Sequence, residues 1–152
     1  MVAFRLQAVL NVRRIEEERL QGELAHLSEA VEEAERKLNY LRFQKTQGQK
    51  MFYERQLKGL KSAEISMYET YLNDLASQIL AQKKLLKELR KRKEEKRLEV
   101  VEASKRRKIL EKLKERELVT ALREEAVRHQ NFIDEMGIAR FVRKVGGGTG
   151  GT

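Results

Sequence analysis

Between Leu20 and Leu41 the apolar residues advance by alternating steps of four and three: Leu20, Leu24, Leu27, Val31, Ala34, Leu38, Leu41. That alternation keeps one side chain per half-heptad on a single edge of a helix, the arrangement of a coiled-coil seam. Glu32, Glu33, Glu35, Arg36 and Lys37 fall outside the track, where a solvated helix face belongs. Upstream, Leu6, Val9 and Leu10 extend the same helix to a start near Phe4. Downstream the track degrades at Lys45 and Gly48 and recovers at Phe52. A second track follows with the same rhythm: Ile65, Tyr68, Leu72, Leu75, Ile79, Gln82, Leu86, Leu89. Past Leu89 it falters, because Lys93 and Lys96 occupy the next seam positions while Leu98, Val101, Ile109, Leu110 and Leu113 fall off register. A stutter that locally unwinds the supercoil is the expected cause. The helical pattern then continues through Leu122, Ala126, Phe132, Ile133 and Met136 to about residue 144.

The break between the tracks lies at Leu57-Lys58-Gly59-Leu60-Lys61-Ser62-Ala63. Gly59 can adopt the left-handed backbone that ends a helix. Ser62 is the expected cap of the next helix, with Glu64 in its first turn near the positive end of the dipole. Gly22 and Gly48 sit inside continuing patterns without a following cap, so they are expected as weak points costing about 1 kcal/mol each. The expected fold is therefore all-α: two long helices in an antiparallel coiled-coil hairpin. Helix one spans about 4–57, the bend about 58–62 and helix two about 63–144, all within one unit, 1–145. Residues 146–152, glycine and threonine alone, form an expected flexible tail.

The two tracks differ in length. With the bend near residue 60, positions face one another when their numbers add to about 120, so Met1 reaches only about Val119. Residues 120–144 then overhang the hairpin, with an apolar stripe that has no partner within the chain. Such a stripe marks a binding surface.

Composition sharpens this picture. The chain has 152 residues with no Pro, Cys or Trp, and 38% of them are charged. The missing Pro removes the strongest helix breaker, and the missing Cys excludes disulfides and thiolate metal sites. No stretch approaches the roughly 18 apolar residues of a spanning helix, and the N-terminus lacks the apolar run of a secretory signal. A soluble cytoplasmic protein without direct membrane insertion is expected. His26 and His129 are isolated, the acidic runs Glu16-Glu17-Glu18 and Glu32-Glu33 have the spacing of solvated faces, and the glycine tail lacks the Gly-Lys-Ser/Thr ending of a phosphate loop. These residues predict neither an enzyme nor a cofactor nor a metal.

Charge is unevenly placed. Residues 83–116 carry 16 Lys/Arg against 7 Asp/Glu, an excess that equals the whole net charge of +9. The glutamates interleaved there stand three or four residues from bases and suit intrahelical ion pairs. No aromatic residue lies between Tyr71 and Phe132, so there is no platform on which bases could stack. A solvated stalk face is the first explanation and an acidic protein surface the second. Nucleic acid or anionic lipid comes last. Tyr68 falls on the seam as core; Tyr71 lies beside it and either leans over the bend or docks a partner.

Three segments resemble the flagellar export protein family FliJ. They are the opening Phe4-Arg5-Leu6 through Val12-Arg13-Arg14 with Glu16–Glu18, and the bend Gly59-Leu60-Lys61-Ser62-Ala63 with Tyr68-Glu69-Thr70-Tyr71-Leu72. The third is the closing Gln130-Asn131-Phe132-Ile133-Asp134-Glu135 with Arg140-Phe141. The resemblance covers nearly the whole chain. It implies a non-enzymatic stalk of the flagellar type III export apparatus, peripheral at the cytoplasmic face of the flagellar base. The implied partners are the flagellar export ATPase, the membrane export gate protein and export chaperones. Carried onto this sequence, the ATPase-facing end would comprise Leu6, Val9, Leu10, Phe132, Asp134, Glu135 and Arg140. The gate-docking face would comprise Tyr71, Leu75, Gln78 and Gln82. The alternatives from a different class are a basic coiled coil that binds nucleic acid and a generic scaffold.

Overall fold

A computed structural model describes residues 4–147. Two helices account for nearly all of them: α1, Gln7–Lys58, and α2, Ser62–Gly147. Among the described residues there is no strand. The helix boundaries lie within three residues of those read from the sequence, and α2 runs on through Gly146 and Gly147 where the tail was expected to begin. Residues 148–152 and Met1 lie outside the described residues.

The bend is short and its chemistry is local. Gly59 has φ +92°, a left-handed value that L side chains avoid and glycine adopts freely. Its N–H bonds back to the Gln56 carbonyl at 3.2 Å and closes the last turn of α1. Arg55 and Lys58 stand in that turn, beside the negative end of the α1 dipole. At the start of α2 the Lys61 carbonyl accepts from the Glu64 and Ile65 N–H groups at 3.0 and 3.1 Å. The cap position therefore belongs to Lys61, and Ser62, expected to be the cap, opens the helix instead. Glu64 lies in the first turn as expected.

Contacts within the chain group into two compact units: residues 15–104, and residues 1–14 with 105–152. In the first, the bend brings α1 and α2 together antiparallel. Val31, Ala34, Leu38 and Leu41 of α1 pack with Leu75, Ile79 and Leu86 of α2 in one buried cluster, with Leu89 against its margin. Nearer the bend the rings of Phe52 and Tyr68 meet at 5.2 Å, tilted by 33°. These pairs fall close to the register in which partner numbers add to about 120.

The stutter expected beyond Leu89 is absent. Lys93, Lys96, Val100 and Ala103 are all covered, and they continue the three-four alternation without a phase change. Lysine can hold a seam position because its aliphatic stem lies along the apolar groove while the ammonium reaches outward. On α1 the track likewise runs through Lys45 and Gly48 without interruption. Gly48 is no weak point: a Cβ there would stand 3.1 Å from both Leu72 Cδ2 and Tyr71 Cε1. The missing side chain is the space those two occupy. Gly22, by contrast, has nothing within 4 Å of such a Cβ.

In the second unit, the first turns of α1 lie beside α2 from residue 105 onward. Leu10 is fully buried, at 0% exposure. Arg14 Nη2 meets Glu111 Oε1 at 3.4 Å, and Arg107 Nη1 meets Glu111 Oε2 at 2.8 Å. Phe4 and Gln7 share a groove with Lys114, Glu117 and Leu118, and Arg5 lines another with Leu113, Thr120 and Ala121. Beyond Ala121 every residue up to Gly146 is exposed.

Candidate functional site

The residues implied for the ATPase-facing end separate into exposed and buried members. Leu6 and Val9 are exposed, as are Phe132, Asp134, Glu135 and Arg140. Leu10 is not available to a partner: it fills the groove between the helices, one step further round the helix than Val9. From Leu122 to Val145, α2 presents one helix with no neighbour on any side. Leu122, Ala126, Ile133 and Met136 share a face at helical spacing, and Phe141, Val142 and Val145 carry apolar surface onto the other sides. All of these are exposed. Phe132 is 59% open to solvent. Gln130 Nε2 donates to Asp134 Oδ1 at 3.1 Å, an i,i+4 bond that steadies this free segment. Together these residues form a long exposed apolar surface on a single helix.

The face implied for the gate does not hold together. Tyr71 is 45% exposed and Gln78 is exposed. Leu75 at 4% and Gln82 at 6% are buried between the helices. Gln82 Nε2 donates to the Ala34 carbonyl at 3.1 Å, so its amide is engaged across the seam. Residues 71, 75, 78 and 82 are spaced on helical periodicity, but that line crosses the seam line 72, 75, 79, 82 and shares two of its members. What the structure assembles around Tyr71 is a shallow groove lined by Arg55, Glu64, Met67 and Tyr68. Met67 is 72% exposed. Sequence patterning passed over Met67 and Arg55, which lie off the seam and match no heptad position.

Part of the basic segment is ion-paired. In the first unit Arg90 Nη2 reaches Glu35 Oε1 across the helices at 2.8 Å. Lys96 Nζ reaches Glu23 Oε2 of α1 and Glu99 Oε2 of its own helix, each at 2.8 Å. Arg97 holds Glu94 through two bonds of 2.9 and 2.7 Å. The hydrogen bond from Lys96 holds the Glu23 carboxyl below the usual glutamate value, with the charges of Lys96 and Arg19 adding to it. The bonds from Glu23 and Glu99 raise Lys96. In the second unit, the bond from Arg107 holds Glu111 low, with Arg14 contributing less. These are stalk contacts between charges, and no catalytic grouping stands among them. Among the described residues no three His, Cys, Asp or Glu side chains gather as metal ligands would. No helix among the described residues is long and apolar enough to cross a membrane.

Fold and surfaces together define a class, the helical coiled-coil hairpin that offers free helix surface to partners. The family model described as the flagellar FliJ protein matches residues 1–146, and the chain belongs to that family. It is thereby a component of the flagellar protein export apparatus, in a family that is non-catalytic. No curated protein and no solved structure matches the chain.

Proposed function

We propose that the chain is a stalk that binds the ring of the flagellar export ATPase, promotes its assembly and activity, and links it to the membrane export gate. The observation that carries this reading is the stretch of α2 from Leu122 to Val145, whose apolar residues meet nothing but solvent. The ATPase contact is formed by Leu6, just before α1, and Val9 of α1 with Phe132, Asp134, Glu135 and Arg140 of α2. Leu10 sets the position of the first two from within the groove. The gate contact is formed by Tyr71 and Gln78, joined by Met67 and Arg55 beside the bend. Residues 1–145 act as one hairpin in this role. Export chaperones are further clients of the same exposed helix.

The test is ATP hydrolysis by the flagellar export ATPase with the full chain and with a chain ending at Val119. The full chain raises the turnover rate and the shortened chain does not, while circular dichroism shows that the shortened chain keeps its helices. Failure of the full chain to raise turnover overturns the reading. A nucleic-acid reading has less support, because Arg90, Arg92 and Arg97 are committed to Glu35, Glu88 and Glu94.

A further inference from the structure

On the side of α2 away from α1 runs a second track with the same alternating steps of four and three. It comprises Leu80, Lys84, Lys87 and Lys91, then Glu94, Leu98 and Val101, every one of them exposed. Leu80 and Leu98 are more than half open to solvent, which nothing in the hairpin requires. The ion pairs of this unit neutralise Arg90, Arg92, Lys96 and Arg97. Among the described residues none engages Lys84, Lys87 or Lys91, and the single acid of the track, Glu94, is cancelled by Arg97. The remainder is a row of three unpaired ammonium groups bracketed by apolar side chains at heptad spacing.

Leucines and unpaired lysines in one heptad register suit a partner helix better than a flat polyanion, which attracts charge without reading register. We propose that this track docks a third helix, an acidic amphipathic helix of a partner protein. Such a helix lays apolar residues on Leu80, Leu98 and Val101 and sets Asp or Glu against Lys84, Lys87 and Lys91. Charge complementarity fixes orientation and register, and the apolar ends supply the buried area. This contact is independent of those assigned to the ATPase and the gate.

The probe is a designed peptide of about four heptads, with leucines and glutamates placed to meet the track and one tryptophan as reporter, since the chain itself has none. The controls are the same peptide with its glutamates moved two positions, a polyglutamate of equal charge, and phosphatidylserine vesicles. The matched peptide binds the full chain and gains helix. The triple change Lys84→Glu, Lys87→Glu, Lys91→Glu weakens it by about tenfold or more, and Leu98→Ala by a few-fold. The milder Lys84→Gln, Lys87→Gln, Lys91→Gln chain, checked for unchanged helix content, must weaken binding too. Equal binding of the shifted peptide or of polyglutamate overturns the proposal in favour of unspecific charge attraction. Binding to vesicles but not to the peptide overturns it in favour of a lipid surface. A matched peptide that fails to bind below roughly 100 µM overturns it outright.

Discussion

The seam between the helices changes character along its length. From Val31 to Leu41 and from Leu75 to Leu86 it is hydrocarbon, interrupted by a single amide, Gln82. Further from the bend in the same unit, Leu20 and Ala103 are buried, but the seam also takes in Lys93 and Lys96, and Lys96 stands between Glu23 and Glu99. The phase is the same in both regions, but the force is not. Apolar burial is insensitive to salt and largely to pH, whereas exposed ion pairs contribute little and are screened. The region near the bend holds the larger apolar cluster, and the mixed region adds ion pairs that salt screens.

Truncating one leucine of the hydrocarbon region separates the two most sharply. Leu38→Ala, at a position 5% exposed, lowers unfolding free energy by about 2–5 kcal/mol. Lys96→Ala gives a clearly smaller loss, because its side chain is partly solvated and its partners can return to water. Urea denaturation of the two variants makes the comparison, and equal losses would erase it.

The amide in the hydrocarbon region comes next. Gln82 is buried, and the Ala34 carbonyl it binds also belongs to the helix ladder. Gln82→Leu raises stability by about 1 kcal/mol, since an apolar side chain replaces a buried polar one. It also removes the one contact of this stretch that only one register can make. The expected cost is mixed pairing, seen as several species in light scattering after chromatography. A gain in stability with a single species would deny Gln82 its registering role.

The smallest effect is on pH. Lys96 holds Glu23 below the ordinary glutamate value. The contribution of Glu23 is therefore full above the ordinary carboxylate range and lost as pH falls through the lowered value. Lys96 itself is raised, so its contribution is full below the ordinary lysine range and lost only in strong base. Both are present at neutrality. On lowering pH from about 7 to about 3, amide protection corrected for intrinsic exchange should fall first at residues 20–27 and 93–103. Residues 31–41 and 75–86 should follow later. A uniform loss would mean that the charged layer is no softer than its neighbour.

The hydrocarbon region was legible in the sequence because its side chains announce their period. So was the bend, where a glycine stands between two tracks in opposite directions. The charged region was not, because Lys93 and Lys96 look like an interruption until their stems are seen lying in the groove. The same blindness affected Gly48, whose emptiness has meaning only once Tyr71 and Leu72 are placed against it. The family resemblance implies a docking face that includes Leu75 and Gln82, while the periodicity puts both on the seam, and the packing agrees with the periodicity. Leu6, Val9, Phe132 and Arg140 lie on open surface.

The turn at Gly59 has a consequence for how such a chain can change length. Three residues join Lys58 to Ser62, too few to absorb a change of phase. One residue inserted in α2 just after the bend would rotate everything beyond it by about 100°, turning Leu75 and Leu86 outward together. Insertions and deletions in this hairpin are therefore quantised. A heptad gained by one helix must be answered by a heptad in the other, or it lengthens only the uncovered end of α2. The genetic freedom of the molecule is concentrated at that uncovered end.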